Sequence, residues 1–273
     1  MSEPDRQVQP LPHPPSGSRG AQAGGEPSSG SRVVAEGLSR HFGSNVALDG
    51  LDLTIEPGEA FGLLGANGAG KTTFIRLVTG YLLPSAGTIE VDGISPAANP
   101  RAVQERLGFV AETSRLYPEL RVDGFLRFVG GLHGLKGPKL AAAVARAIER
   151  FQLEEVERRP VGNLSKGFQQ RVSLAQGFLH DPSLLIVDEP TSGLDPLQQA
   201  EVRDVLAELR GQRTVLLCTH DLAEARELTS RVAVLHAGRL VAIGPTESVL
   251  GGDDALELFR GQPGAASSEA ANP

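Results

Sequence analysis

Nine consecutive residues have the composition and spacing of a loop that binds polyphosphate. They fit the pattern G-x-x-x-x-G-K-[ST] and read Gly65-Ala66-Asn67-Gly68-Ala69-Gly70-Lys71-Thr72-Thr73. Glycines let the backbone turn several N–H groups onto one anion, and the helix that follows adds its own unpaired N–H groups. In such a loop Lys71 contacts the β- and γ-phosphates, and the Thr72 hydroxyl binds Mg²⁺. The alternative is a glycine-rich turn that binds nothing.

The residues on both sides of this loop predict the structural context that the motif requires. The apolar run 61–64 precedes the loop and predicts a buried strand. The segment 73–78 follows it and predicts a helix. A strand, a loop and a helix in this order favour phosphate binding over a turn without a ligand.

Two acidic residues end a second apolar run. Asp188 and Glu189 come directly after Leu184-Leu185-Ile186-Val187. Ligands of open α/β sheets bind at the carboxyl ends of the strands, where the phosphate loop also lies. We expect Asp188 to hold Mg²⁺ and Glu189 to act as the general base on a water molecule. Taken without the loop, the pair could equally be solvated acids.

A histidine ends a third apolar run. His220 follows 215–219, which predicts a neighbouring strand, and its imidazole offers a hydrogen-bond donor to a γ-phosphate. A lone histidine is more often structural, and only its place at a strand end favours a catalytic role. We expect the remaining histidines of the folded part to lie on the surface: His41, His133, His180 and His236.

Composition sets limits on the class of protein. The chain has 273 residues and a net charge of −7, which argues against a protein that coats nucleic acid. Its one cysteine, Cys218, lies in an apolar run, and we expect its side chain to be buried. With a single cysteine no disulfide can form within the chain, which indicates a reducing compartment. No run of about eighteen apolar residues predicts a transmembrane helix, and the start of the chain lacks the apolar core of a secretory signal.

The chain divides into one folded region between two polar tails. Residues 1–31 are rich in Pro, Gly, Ser and Gln, residues 264–273 lack large apolar side chains, and we expect both segments to be disordered. Residues 32–263 predict an α/β fold: a phosphate-loop NTPase core with a mostly parallel sheet and an antiparallel β subdomain at its edge. Helical spacing of Leu140, Val144, Ile148 and Phe151 predicts a helical insertion at about 113–163.

Five motifs occur in the order typical of the ABC transporter ATPases, and residues 33–245 resemble that family. They are the phosphate loop, Leu164-Ser165-Lys166-Gly167-Phe168, Asp188-Glu189, Ser192-Gly193-Leu194-Asp195 and His220. The resemblance implies an ATP-hydrolysing subunit. It also implies that Ser165 and Gly167 contact the γ-phosphate held by a second subunit, and that Asp195 lies in the loop touching that subunit. Ser165 is also suited to an ordinary helix N-cap, and both roles are compatible.

The same resemblance assigns two further residues to the nucleotide. Phe42 occupies the position of an aromatic that stacks on adenine, although a phenylalanine before a turn often only packs in a core. Glu112 stands where the family has a glutamine, and its carboxylate is suited to binding Mg²⁺ but cannot donate as an amide does.

Departures from the family pattern indicate a branch of the family. Lys166 and Phe168 replace the usual glycine and glutamine, and Lys166 is either an added charge near the anion or a solvated side chain. Together with Glu112 they resemble the export-type branch, in which ATPase and membrane-spanning chains are separate. The implied partners are a transmembrane permease and a second ATP-binding subunit, identical or paralogous, at the cytoplasmic face of the cell membrane. We expect the permease to contact residues between Glu112 and Leu132, unless the apolar residues there only pack internally.

Two other classes compete with a transporter subunit. Soluble relatives that act on DNA usually insert a long coiled coil between the phosphate loop and the signature, but here Ser165 lies only 94 positions after Lys71. Relatives that act on ribosomes usually carry two ATP-binding domains in one chain, whereas this chain has one. The net negative charge also argues against a nucleic-acid partner. A nucleotide-binding protein that does not hydrolyse ATP is disfavoured, because the residues expected to be catalytic are all present: Lys71, Asp188, Glu189 and His220.

Overall fold

The computed structural model describes residues 30–252, which form nine β-strands and eight α-helices. The strands are β1 (Val33–Phe42), β2 (Asn45–Ile55), β3 (Ala60–Leu64), β4 (Ala86–Val91), β5 (Leu107–Val110), β6 (Leu184–Asp188), β7 (Thr214–Thr219), β8 (Arg231–His236) and β9 (Arg239–Pro245). The helices are α1 (Lys71–Val78), α2 (Pro100–Gln104), α3 (Val122–Leu132), α4 (Gly137–Arg150), α5 (Lys166–Phe178), α6 (Pro196–Ala207), α7 (Leu222–Leu228) and α8 (Thr246–Leu250).

A six-stranded sheet in the order β5-β6-β7-β3-β8-β9 forms the centre of the fold. All its pairings are parallel except that of β8 with β9, which is antiparallel. All residues of β3 and β7 are buried, because helices and the second sheet cover both faces. The apolar runs therefore form the parallel strands that the sequence predicts, and the predicted fold class is confirmed.

A separate three-stranded sheet in the order β2-β1-β4 provides the antiparallel subdomain. Its central strand β1 pairs antiparallel with both neighbours, so that Val33 lies opposite Ile55 on one side and Val91 on the other. All three of these side chains are fully buried, which explains the apolar alternation of the strands.

Helices α3 and α4 lie within the segment for which the sequence predicts a helical insertion. Val144, Ile148 and Phe151 are buried in one cluster with Val122 and Phe125 of α3. Helical spacing puts such residues on one face of α4, and burial of that face holds the two helices together.

The central sheet separates two large hydrophobic clusters. Alternate residues of a strand face opposite sides, so Leu217 of β7 packs with the helical side and its neighbour Cys218 packs on the side of β1 and β2. In β6, Val187 and Ile186 divide in the same way. Cys218 is a free, fully buried thiol, and burial raises its pKa well above the ordinary value.

The folded part begins before residue 32, where the sequence places the end of the tail. Ser31 is fully buried, and its hydroxyl donates to Asp92 Oδ2 at 2.8 Å and lies 2.6 Å from Ser183 Oγ. These partners are distant in sequence, which is why composition alone did not include Ser31 in the fold. Residues 1–29 and 253–273 lie outside the described part of the chain, and the predictions for them stay predictions.

None of the helices between residues 30 and 252 has both the length and the apolar composition needed to cross a bilayer.

Candidate active site

The register of the central sheet brings three strand ends together. Leu64, the last residue of β3, pairs with Thr219 of β7, and Asp188 of β6 pairs with Cys218. The loop after β3, the acids that end β6 and the histidine after β7 therefore leave the sheet at one edge. This is the edge at which open parallel sheets bind ligands.

The glycines of the loop after β3 are required by conformation and by packing. Gly65 and Gly70 have φ values of 155° and 114°. A Cβ atom on Gly65 would lie 2.5 Å from the Leu235 carbonyl oxygen, and one on Gly70 would lie 2.8 Å from that of Ala47. The loop approaches β2 and β8 so closely that neither position accepts a side chain, and glycine is the residue that fits both this space and these φ values.

Lys71 lies at the centre of the loop. Its side chain is only 7% exposed, its ammonium group donates to the Gly65 carbonyl oxygen, and Nζ lies 3.4 Å from Oε1 of Glu189. A buried ammonium group is costly unless it is paired, and here a carboxylate and a carbonyl oxygen provide the pairing. The lysine is thus held where the phosphate-loop motif requires a positive charge.

Glu189 is ion-paired through one carboxylate oxygen and hydrogen-bonded through the other. Oε1 faces Lys71, while Oε2 lies 2.7 Å from Nδ1 of His220 and accepts from the Thr219 hydroxyl at 3.4 Å. The backbone of Glu189 has a φ of 47°, in the left-handed region, and its N–H donates to the Cys218 carbonyl. Such a conformation costs a non-glycine residue about 1–3 kcal/mol and is concentrated at functional sites.

Asp188 lies in an excess of negative charge. Its pKa is raised to about 6, chiefly by burial and then by the Glu189 carboxylate; Lys71 opposes the increase, and Glu112 adds to it. A bound divalent cation would relieve this repulsion, so the oxygen donors of Asp188, Glu112 and Thr72 in one cleft are suited to Mg²⁺. Residues 30–252 contain no group of three His, Cys, Asp or Glu residues placed to hold a metal. Mg²⁺ typically needs only one or two carboxylates beside substrate phosphates.

A cleft of about 450 Å³ joins most of the predicted site residues. Phe42, Glu112, Asp188 and Glu189 line it together with the loop residues Ala66, Asn67, Gly68, Gly70, Lys71, Thr72 and Thr73. Phe42 is 43% exposed, so it is not a core residue, and the guanidinium of Arg40 lies 4.6 Å from its ring centroid. One face of the ring is therefore covered by a cation.

Sequence reasoning missed three residues that line the same cleft: Asn45, Val46 and Ala47. They begin β2, and Phe42 pairs with Asn45 across the turn that joins β1 to β2. The Gly43-Ser44 turn was the available signal, because a hairpin places the residues after the turn beside those before it.

Glu112 also contacts the segment that follows Glu189. The Ser192 hydroxyl donates to Oε1 of Glu112 at 3.4 Å. The residue at the glutamine position of the family is thereby connected to the loop that leads to Asp195.

Ser165, Gly167 and Asp195 lie outside the cleft of the same chain. Ser165 caps α5 by accepting from the Phe168 N–H at 3.4 Å, and Asp195 caps α6 by accepting from the Gln198 N–H at 3.0 Å. Gly167 packs directly on Gln198, where an added Cβ would lie 3.0 Å from Cγ. The two helix starts are therefore neighbours, and the predicted phosphate contact of Ser165 and Gly167 stays a prediction.

The expectation of surface histidines is wrong for two of the four. His41 is exposed, but His180 and His236 are half-buried. His180 stacks on His133 with ring centroids 3.8 Å apart and planes within 4°, and its Nε2–H donates to the Leu107 carbonyl at 3.1 Å. Burial, reinforced by His133, lowers the pKa of His180 to about 4. No local pattern indicates this pair, because its members are distant in sequence.

A parallel sheet with a phosphate loop at its carboxyl edge, a buried lysine and a pair of acids defines a P-loop nucleotide-binding domain. The family model described as ABC transporter matches residues 48–192, more than half of the chain. The chain therefore belongs to the ABC transporter family, as an ATP-binding and ATP-hydrolysing subunit.

Curated relatives agree with this assignment. The chain is 38% identical over 202 residues to the ABC transporter ATP-binding protein NatA of Bacillus subtilis, covering 73% of this chain and 82% of NatA. It is 36% identical over 218 residues to the Nod factor export ATP-binding protein I of Rhizobium etli, covering 78% of this chain and 69% of that protein.

A solved structure has the same architecture. The structure of cbiO1 from Clostridium perfringens, described as part of the ABC transporter complex cbiONQ, superposes with a TM-score of 0.74 at 28% identity. The match covers 82% of this chain and 92% of that one.

Proposed function

We propose that two ATP-binding subunits, two copies of this chain or one copy and a paralogue, close on ATP·Mg²⁺ and thereby drive export through a separate membrane-spanning partner. One observation carries this proposal. The chain has a cleft lined by the phosphate loop and, outside that cleft, exposed side chains of Ser165 and Asp195 at the starts of two adjacent helices. A second subunit would bring such a pair of helix starts against each cleft.

Each cleft would bind ATP through its walls. The loop backbone and Lys71 hold the phosphates, the Thr72 hydroxyl and Asp188 hold Mg²⁺, and the open face of Phe42 stacks on adenine. Mg²⁺ supplies charge neutralisation at the terminal phosphates. The buried lysine contributes to catalysis by stabilising charge on the transferred phosphoryl group.

Hydrolysis would depend on Glu189 and His220. The carboxylate of Glu189 takes the proton of the attacking water as general base. His220 lies within hydrogen-bond distance of that carboxylate and is 59% exposed, so it is free to contact a γ-phosphate from the side. The contact between the two side chains would let His220 orient the carboxylate that takes the proton.

The surface that would meet the second subunit is the one that carries the starts of α5 and α6. The N-terminus of α5 offers unpaired N–H groups and a positive dipole end to an anion. Beside Asp195, the side chain of Leu197 is 72% exposed. A subunit interface would cover it.

The membrane partner would dock on exposed apolar residues beside the helical region. Tyr117, Phe128 and Leu132 are 51%, 44% and 71% exposed, and the Tyr117 ring lies edge-on to Phe128 with centroids 5.4 Å apart. Leu116 and Leu120 instead pack against the helical core. These two leucines therefore pack internally and are not part of the proposed docking surface. A helix from a membrane-spanning chain at the cytoplasmic face would fit this apolar group.

Replacement of Glu189 tests the motor assignment. Glu189→Gln keeps the shape of the side chain but removes the general base, so ATP should still bind while turnover is lost and a closed dimer accumulates. Size-exclusion chromatography with ATP·Mg²⁺ and a phosphate-release assay measure both effects, with Lys71→Ala as the control that should not dimerise. Full turnover by Glu189→Gln would show that the general base lies elsewhere.

Crosslinking tests the partner surface. Cys218 is buried and is the only cysteine of the sequence, so Tyr117→Cys introduces the only accessible thiol. We expect this variant to crosslink to a membrane-spanning subunit, and the matched variant Glu90→Cys on the exposed face of β4 not to do so. Absence of the crosslink in every nucleotide state would contradict the proposed docking surface.

A further inference from the structure

Arg40 is a cation that lies against the ring proposed to stack on adenine, and the reaction proposed above does not use it. It is half-buried two residues before Phe42 on β1, where the pairing with β2 shifts register between Arg40 and His41. Such an irregularity changes the direction of the side chains around it. Here it accompanies a close contact, because the Cζ atom of the guanidinium lies 4.6 Å from the centroid of the Phe42 ring.

The guanidinium of Arg40 is held by the segment that follows α1. Its Nη1 donates to the Leu83 carbonyl oxygen at 2.9 Å. That segment folds back on α1, since the Leu82 N–H donates to the Arg76 carbonyl at 2.9 Å. The position of the guanidinium therefore depends on the helix that begins at the phosphate loop.

Apart from this carbonyl, the charge of Arg40 has little polar compensation. Nε of Arg40 is buried and has no hydrogen-bond partner among residues 30–252. In the same part of the chain no carboxylate forms an ion pair with Arg40. A buried N–H group without an acceptor has a cost, which attraction of the cation to the negative face of the Phe42 ring offsets in part.

The contact with Arg40 prepares the Phe42 ring for a planar ligand. The ring is 43% exposed and lines the cleft, whereas Arg40 does not line it, so the cation covers the ring from behind. An exposed side chain that must be ordered on binding lowers the affinity, and a contact that orders it beforehand removes this cost. The cation also compensates the negative π face, which reduces the repulsion between the ring and a stacked base.

We propose that Arg40 is a positioning residue for the nucleotide base: its guanidinium, held by the Leu83 carbonyl, orders the Phe42 ring and leaves the cleft face of that ring to adenine. The inference rests on the proposed stacking of adenine on Phe42. Because Leu83 follows α1, the same side chain joins the phosphate-binding helix to the base-binding wall of the cleft. The two walls that hold opposite ends of the nucleotide are thereby kept at a fixed spacing.

Removal of the cation in the full-length chain tests this role. Arg40→Ala should raise the Kd for ATP·Mg²⁺, measured by calorimetry, about fivefold. The Kd for inorganic triphosphate with Mg²⁺ should change less than about twofold, because this ligand has no base. KM for ATP should rise with Kd while kcat stays within about twofold, since the groups that act on the terminal phosphate are unaltered.

The exposed Arg32, directly before β1, provides the matched control: Arg32→Ala should leave all these constants unchanged. An unchanged Kd for ATP in folded Arg40→Ala would overturn the proposal. Equal losses of affinity for ATP and for triphosphate would also overturn it, because they would indicate general damage to the cleft.

A double-mutant cycle shows whether Arg40 acts through the ring. When Phe42→Ala is already present, adding Arg40→Ala should change ATP affinity less than about twofold, since no ring remains to be positioned. Arg40→Lys keeps a cation without the planar guanidinium and should give an affinity between those of wild type and Arg40→Ala. The same fivefold loss with and without the Phe42 ring would contradict the assigned role.

Fluorescence keeps the test decisive if Arg40→Ala does not fold. The sequence contains no tryptophan, so Phe42→Trp introduces the only one, and a stacked base should quench its emission. Adding Arg40→Met, which keeps an unbranched stem without charge, should raise the ATP concentration for half-maximal quenching about fivefold. Circular dichroism and thermal unfolding identify the folded variants. Identical quenching curves with and without Arg40→Met would overturn the proposal.

The outcomes also separate this proposal from the proposed function. If Phe42→Ala weakens ATP binding and Arg40→Ala does not, the stacking of adenine stands and only the role of Arg40 is removed. If the unmodified chain binds no ATP·Mg²⁺, both fail.

Discussion

The Nδ1 atom of His220 lies 2.7 Å from Oε2 of Glu189, and the backbone N–H of His220 donates to the same oxygen at 3.4 Å. With the proton on Nδ1, the imidazole donates to the carboxylate and fixes its orientation. The other oxygen of Glu189 remains beside Lys71. One acid therefore connects the phosphate loop with the end of β7, and both ends of this connection are open to mutational tests.

His220→Ala should lower kcat for ATP hydrolysis about a hundredfold, with ATP affinity changed only a fewfold. The reason is that the substitution removes both the orienting partner of Glu189 and a donor to the γ-phosphate, while the loop that binds the nucleotide is unaltered. Steady-state kinetics and calorimetry separate the two effects. The exposed His41 provides the control, because His41→Ala should leave kcat unchanged. A loss confined to KM would contradict the assignment.

Phe42→Ala should weaken ATP binding by about 1–3 kcal/mol, the usual contribution of one base stacked on an aromatic ring. Phe42→Trp should keep the affinity, since it preserves a ring against the Arg40 guanidinium. Competition between ATP and inorganic triphosphate provides the measurement: triphosphate should bind wild type and Phe42→Ala equally. If Phe42→Ala binds ATP as tightly as wild type, Phe42 does not stack on adenine.

Gly65→Ala should abolish nucleotide binding and lower the melting temperature. Its Cβ would lie 2.5 Å from the Leu235 carbonyl oxygen, so the loop would have to move away from β8. Gly43→Ala is the matched control: Gly43 also has a positive φ, of 60°, but nothing lies within 4 Å of the added atom. It should cost only the conformational strain, about 1–2 kcal/mol. Equal effects of the two variants, measured by thermal unfolding and calorimetry, would show that packing at Gly65 is unimportant.

Acidification should destabilise the fold partly through His180. Its pKa in the folded chain is about 4, below the ordinary value of 6.5, so the unfolded chain binds more protons between these values. Stability from this residue is therefore present above pH 6.5 and is lost as the pH falls towards 4.

His180→Phe keeps a ring against His133 but cannot titrate, so its melting temperature should fall less between pH 7 and pH 5 than that of wild type. Differential scanning calorimetry at several pH values measures this slope. His41→Phe should retain the wild-type slope, because His41 is exposed. A wild-type slope in His180→Phe would exclude His180 as a source of the acid sensitivity.

The elements that local sequence determines were predictable. The apolar runs 184–187 of β6 and 215–218 of β7 are fully buried, as strands covered on both faces require, and the loop from Gly65 to Thr73 is contiguous. The place where strands end also followed from the runs, which is why Asp188 and His220 were expected at one edge. The structure has that arrangement.

The contacts that depend on packing between distant elements were not predictable. Ala47 approaches Gly70 because the three-stranded sheet lies against the phosphate loop, and no local pattern encodes that approach. The stacking of His133 on His180 likewise depends on how α3 meets the end of α5. The apolar side chain of Leu116 favoured a place in the partner surface, but in the fold Leu116 packs against the helical core.

Leu217 and Cys218 are adjacent in β7 yet belong to different hydrophobic clusters. Substitutions of buried apolar residues on the helical side of the sheet therefore change a different cluster from the one beneath the phosphate loop. Substitutions can accumulate in the helical layer, and with it in the surface proposed to dock a membrane-spanning chain, while the cluster beneath the nucleotide site keeps its composition.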